Sequence, residues 1–142
     1  MYDNNALING KFLHNLNGWT PSAGVTYSAG DGDGNYGVAV LPVGGSIWQE
    51  FSVDEEALQS LHISVKAVGA SLSGSQATLV IKDSYDNTVI TQNLSGTADT
   101  WTESLYSVGI SEGATYRITI TNNSAAGDIK IDDVWIWFIF KY

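Results

Sequence analysis

Nine stretches of this chain alternate apolar with polar residues or carry β-branched runs, and almost nothing repeats with the period of a helix. They fall at 24–29 (GVTYSA), 36–41 (YGVAVL), 45–53 (GSIWQEFSV), 60–68 (SLHISVKAV), 76–83 (QATLVIKD), 87–94 (NTVITQNL), 100–108 (TWTESLYSV), 114–122 (ATYRITITN) and 128–138 (DIKIDDVWIWF). The single helical candidate is one turn at Asp54-Glu55-Glu56-Ala57-Leu58, opened by a capping-type Asp. Gly, Ser, Asn and Asp clusters separate the strands, with Asp86-Asn87 a tight hairpin turn and 69–74 a looser loop. Strands this short bury their apolar faces only against a second sheet. The pattern therefore predicts an all-β, two-sheet antiparallel β-sandwich of the jelly-roll kind, one domain over 1–142.

Charge and composition narrow the function. The 142 residues are 44% hydrophobic, enough for a core of their own, and carry 15 acidic against 6 basic side chains, a formal charge of −9. Such a chain repels phosphate backbones, so no nucleic-acid partner is expected. No membrane association is expected either, because no apolar run has transmembrane length, and MYDNNALING lacks the regions of a signal peptide. Zero cysteines exclude disulfides, thiolate metal sites and cysteine nucleophiles. Two glycosylation-type triplets, Asn93-Leu94-Ser95 and Asn122-Asn123-Ser124, match a pattern frequent by chance.

The stretch GDGDGNYG invites two chemical readings and supports neither. Gly32 to Gly37 satisfies the dinucleotide fingerprint, but that motif opens a helix, and here Val38-Ala39-Val40-Leu41 continues as a strand that Pro42 ends. Asp31, Asp33 and Asn35 have EF-hand spacing, yet loop positions six and twelve hold Tyr36 and Pro42 in place of Gly and Glu. A glycine-rich turn remains, with an irregular ion site on Asp31 and Asp33 as its alternative.

Asn5-Ala6-Leu7-Ile8-Asn9-Gly10-Lys11-Phe12, followed by Asn17-Gly18-Trp19-Thr20, resembles the opening of carbohydrate-binding modules of the family-four and family-nine type. Gly34-Asn35-Tyr36-Gly37-Val38, Ile47-Trp48-Gln49-Glu50-Phe51-Ser52-Val53, Thr100-Trp101-Thr102 and Ile131-Asp132-Asp133-Val134 resemble four further landmarks of those modules, in the same order. The resemblance implies a galactose-binding-like jelly roll that recognises glycans without catalysis. It also implies a structural calcium ion, held by a glutamate after the N-G-x-F segment and an aspartate of I-D-D-V. Leu13 stands where that glutamate belongs, leaving Asp132 and Asp133 as candidate metal ligands. Spacing from Ile131 to Val134 breaks strand parity, which places a bulge at Asp132-Asp133.

The residues agree with recognition rather than reaction. Only His14 and His62 are suited to shuttle protons at neutral pH, His62 reads as a structural histidine in an alternating strand, and no Ser or carboxylate pattern marks a nucleophile with its base. Sugars pack C–H faces on aromatic planes, so the exposed aromatics matter. Alternation sets Ile47, Gln49, Phe51 and Val53 on one face and Ser46, Trp48, Glu50 and Ser52 on the other. Trp48 with Glu50 is one ligand-binding candidate. Trp101, sharing a face with Glu103 and Ser107, is a second, while Trp19 matches a position packed under the first strand.

Val134 to Tyr142 is apolar on both faces, although a sandwich buries only one. With Val134, Ile136 and Phe138 inward, Trp135, Trp137 and Ile139 face out. Two indoles at about 150–250 Å² each, plus the isoleucine, exceed what a soluble monomer leaves bare. Trp135, Trp137, Ile139 and Phe140 are thus expected to meet a glycan, a larger protein assembly or a second copy in a homo-oligomer. The expected function is a non-catalytic glycan-binding module. Its rival is a structural protein, such as a virion decoration or fibre component, docking through the last strand. Either places the protein outside the cell or on a virion surface.

Overall fold

A computed structural model describes residues 5–30, 37–53, 58–69, 77–94, 100–109 and 114–140. Ten strands follow in chain order: β1 (Thr20–Pro21), β2 (Thr26–Ser28), β3 (Val38–Leu41), β4 (Ser46–Val53), β5 (Leu58–Val68), β6 (Ala77–Asp83), β7 (Thr88–Asn93), β8 (Thr102–Gly109), β9 (Ala114–Asn122) and β10 (Ile129–Phe140). They form two five-stranded antiparallel sheets, β1-β4-β9-β6-β7 and β2-β3-β10-β5-β8. This is the expected jelly-roll sandwich. The nine predicted stretches each coincide with a strand, although β5, β8 and β10 run one or two residues past the predicted bounds, and the addition is β1, two residues that pair Thr20 with Trp48 and Pro21 with Ile47. A pairing that short leaves no period to read. Of the predicted helical turn at 54–58, residues 54–57 lie outside the described residues and Leu58 is not helical but opens β5; of the glycine-rich turn at 30–37, residues 31–36, with the candidate ligands Asp31 and Asp33, also lie outside them.

Alternation fills the space between the sheets. Ile47 and Phe51 of β4, Leu79 and Ile81 of β6, and Ile118 and Ile120 of β9 face Leu61, Ile63 and Val65 of β5 and Ile129, Ile131, Val134 and Ile136 of β10. The anticipated hairpin joins β6 to β7. There Asp83 accepts hydrogen bonds from the backbone N–H groups of Asn87 (3.0 Å) and Tyr85 (2.9 Å), and Asp86 takes the left-handed conformation at φ 66°. Those donors, Asn87 first, hold the Asp83 carboxyl below its ordinary range. Asn122, the first residue of one glycosylation-type triplet, is fully buried and donates to the carbonyls of Leu41 and Gly127.

The segment before β1 closes an otherwise open edge. β3 covers β10 only through Ile129–Ile131. Beyond it the N-terminal strap takes over, with Val134 N–H donating to Gly10 O and Ala6 N–H to Ile136 O, both at 2.9 Å. The Asn5 amide acts as a further strand residue, donating to Val134 O (2.8 Å) and accepting from Ile136 N–H (2.9 Å). The approach is close enough that a Cβ on Gly10 would collide with the Val134 carbonyl oxygen. From the other sheet, the Gln49 side chain accepts from Ile8 N–H (2.7 Å) and donates to Ile8 O (2.9 Å). Trp19 is buried as expected, its ring 5.5 Å from that of Phe12.

Candidate functional site

A break in one strand's parity builds the site. Ile129 and Ile131 point into the core; unbroken alternation would send Trp135 and Trp137 after them. The register with β5 instead shifts between Asp132 and Trp135, and Asp133 sits at φ 47°. This is the anticipated bulge. Val134 and Ile136 become the core residues, and both indoles turn onto the outer face.

Three strands carry the resulting groove, with a volume of about 520 Å³. Its lining is Trp135, Trp137 and Asp133 from β10, Ser64 and Lys66 from β5, Glu103 and Leu105 from β8, and Lys11 from the strap. Both tryptophans are half-buried. The His62 ring stacks on Trp137 with centroids 5.5 Å apart at 26°, and the Lys11 ammonium stands 5.9 Å from the Trp135 ring. The chain's own side chains thus cover part of the apolar surface expected to need a partner. The side chains of Ile139 and Phe140, the other two expected interface residues, lie outside what the structure describes.

The remaining candidates are scattered. Trp48 and Glu50 stand on the outer face of the opposite sheet, where Arg117 lies 3.9 Å from the Trp48 ring centroid and bonds Glu50 at 2.8 Å. Beside them is a second hollow of about 510 Å³ that includes Glu50, Val80, Lys82, Asp86 and Arg117. Its charges are largely engaged with one another, since Lys82 also pairs with Asp86 at 3.4 Å. Trp101 is half-buried just before β8 and does not line the groove.

Asp132 is 1% exposed and accepts the Asp133 backbone N–H at 2.8 Å, while Asp133 pairs with the Lys66 ammonium at 3.2 Å. Leu13 is exposed, and among the described residues no group of three or more His, Asp or Glu side chains is placed to hold a metal ion. A lysine on one carboxylate and a backbone donor on the other suit a bulge better than a calcium cage, so these residues fit the ion poorly.

Sequence reasoning missed Lys11, Ser64, Lys66 and Leu105. Alternation in SLHISVKAV and TESLYSV puts the β5 and β8 residues on outward faces. Only the strand order β10-β5-β8 brings them beside the tryptophans.

No protein-family model and no curated protein matches the chain. Solved structures do. The enzymatically active domain of tailspike protein 4 from bacteriophage CBA120 is similar at TM-score 0.72 and 22% identity, over 96% of this chain and 22% of that one. A family 61 carbohydrate-binding module in complex with β-1,4-galactotriose is similar at TM-score 0.69 and 15% identity, over 95% of this chain and 99% of that one. A family 4 carbohydrate-binding module is similar at TM-score 0.64 and 18% identity, covering 94% of this chain and 99% of that one. The chain spans about a fifth of the tailspike chain and nearly all of the two modules, and at these identities the likeness establishes a fold in common with carbohydrate-binding modules.

Proposed function

We infer that this protein is a non-catalytic carbohydrate-binding module, working outside the cell, whose glycan lies in the β10-β5-β8 groove. One observation carries the reading: the bulge at Asp133 turns two neighbouring indoles outward into a groove whose lining also includes the polar side chains of Ser64, Lys66 and Glu103. Indole planes accept the C–H face of a pyranose, and the polar groups supply fixed partners for its hydroxyls. Modules of this fold, one of them solved with a galactotriose, support the assignment. Trp48 is the weaker ligand contact, because Arg117 already occupies one side of its ring.

Docking of the same tryptophans on a larger assembly is the competing reading, and similarity to a tailspike domain favours it. Coverage of Trp137 by His62 and of Trp135 by Lys11 reduces the area such a partner would need to bury.

The test is calorimetry or affinity electrophoresis of the chain against a polysaccharide panel. Trp135→Ala and Trp137→Ala should each weaken binding about tenfold or more, a loss of about 1.4 kcal/mol or above, and Trp48→Ala should leave it nearly unchanged. A wild type that binds no polysaccharide, or that loses binding only with Trp48, would overturn the reading.

A further inference from the structure

We propose that the groove is a slot one pyranose ring thick, running along β5 between Trp135 and Leu105 with Ser64 as its floor, and that it selects an uncharged glycan; the proposal rests on the glycan-binding reading above. Three residues lie in one row across the sheet. Leu105 of β8 is paired with Ser64 of β5, and Ser64 with Trp135 of β10. The row is tall, short and tall. Ser64 is 9% exposed, whereas Leu105 is 65% exposed, an aliphatic side chain left standing in water beside the groove.

Spacing sets what enters. Adjacent strands lie about 4.8 Å apart, so the two walls rise from backbones about 9.6 Å apart. A ring touching both walls at about 3.5–4.0 Å on each side needs about 7–8 Å between their atom layers. One ring fits that gap; two stacked rings do not. The walls also fix direction, because Leu105 on one side and Trp135 with Trp137 on the other obstruct a chain lying across the strands.

The neighbouring rows line the two ends with different chemistry. One is Ser107, His62 and Trp137, where the imidazole lies against the indole. The other is Glu103, Lys66 and Asp132, with Asp133 reaching back to Lys66 at 3.2 Å. The charged lining residues are Lys11 and Lys66 against Glu103 and Asp133, two of each sign, on a chain of net charge −9. No cationic excess is present to hold a uronate or a sulfate, and the field of the whole molecule repels polyanions. Paired lysine and carboxylate groups still offer donors and acceptors to neutral hydroxyls.

The experiment measures binding of neutral polysaccharides (galactan, xylan, glucan, mannan) and anionic ones (polygalacturonate, heparin) at low and high NaCl. It uses wild type, Ser64→Leu, Leu105→Ala and the double variant Trp135→Ala/Trp137→Ala, each checked by circular dichroism and melting. Ser64→Leu raises the floor and should abolish binding; Leu105→Ala removes a wall and should weaken it about tenfold. The wild type should bind a neutral polymer with an affinity that salt barely changes. Preference for polygalacturonate or heparin with a steep salt dependence overturns the proposal. So does wild-type affinity in folded Leu105→Ala, whatever Ser64→Leu does. Wild-type affinity in the double tryptophan variant, or no binding by the wild type, instead removes the glycan-binding reading itself.

Discussion

At the scale of single residues, side-chain amides carry an unusual share of the architecture. Gln49 is 5% exposed and meets both backbone polar groups of Ile8, so the strap is joined to the first sheet by a side chain that imitates a strand. Gln49→Leu keeps the bulk and leaves the Ile8 N–H and C=O without these partners. Ile8 itself is 69% exposed, so water replaces part of what is lost and the cost is the net value of the hydrogen bonds, about 0.5–1.5 kcal/mol each, which urea unfolding should show. A variant as stable as wild type would mean that water or a neighbour satisfies Ile8. Alternation marks Gln49 as an inward residue of its strand but carries no sign of its partner, which lies 41 positions away.

The decisive element is β10. Its sequence IKIDDVWIWF holds two alternating halves out of phase, and the parity break at Asp132-Asp133 is legible in the order of residues alone. The residues that the resemblance reads as a calcium position form in the fold a bulge that exchanges the inward and outward residues of the strand. Asp133 is held at φ 47°, a region that costs most L-residues about 1–2 kcal/mol and that Asp and Gly tolerate. Asp133→Val should therefore destabilise the sandwich by about that amount, and Asp133→Gly should cost less although it also gives up the Lys66 pair. Thermal melts of the two variants decide it: equal losses would assign the effect to the ion pair rather than to the backbone. Because the bulge aims the indoles, the valine variant should also bind glycan more weakly.

At the scale of the whole molecule, net charge acts on stability and leaves the groove's chemistry alone. An excess of nine negative charges favours the expanded chain through self-repulsion. Raising NaCl from about 20 to about 500 mM shortens the Debye length to a few ångströms and should raise the melting temperature. The opposing effect, screening of exposed pairs such as Lys82–Asp86 and Arg117–Glu50, is small, since such pairs contribute about 1 kcal/mol or less. A melting temperature that falls with salt would show that the surface pairs outweigh the excess.

The sequence by itself determined that the chain is a β-sandwich, which face of a strand such as β4 enters its core, and where the last strand breaks phase. These properties follow from alternation, and alternation is local: each side chain's face is fixed by its immediate neighbours. It also determined that Trp135 and Trp137 leave the core once Val134 and Ile136 enter it. Tertiary structure alone decided what those indoles meet. The order β10-β5-β8 sets Ser64 and Leu105, separated in sequence from Trp135 by 71 and 30 positions, into one row with it. The strap brings Lys11 over the same ring, while Trp48 and Glu50 fall on the other sheet beside Arg117. Strand order depends on burial summed over both sheets, a property of the assembled molecule that no single stretch of residues encodes.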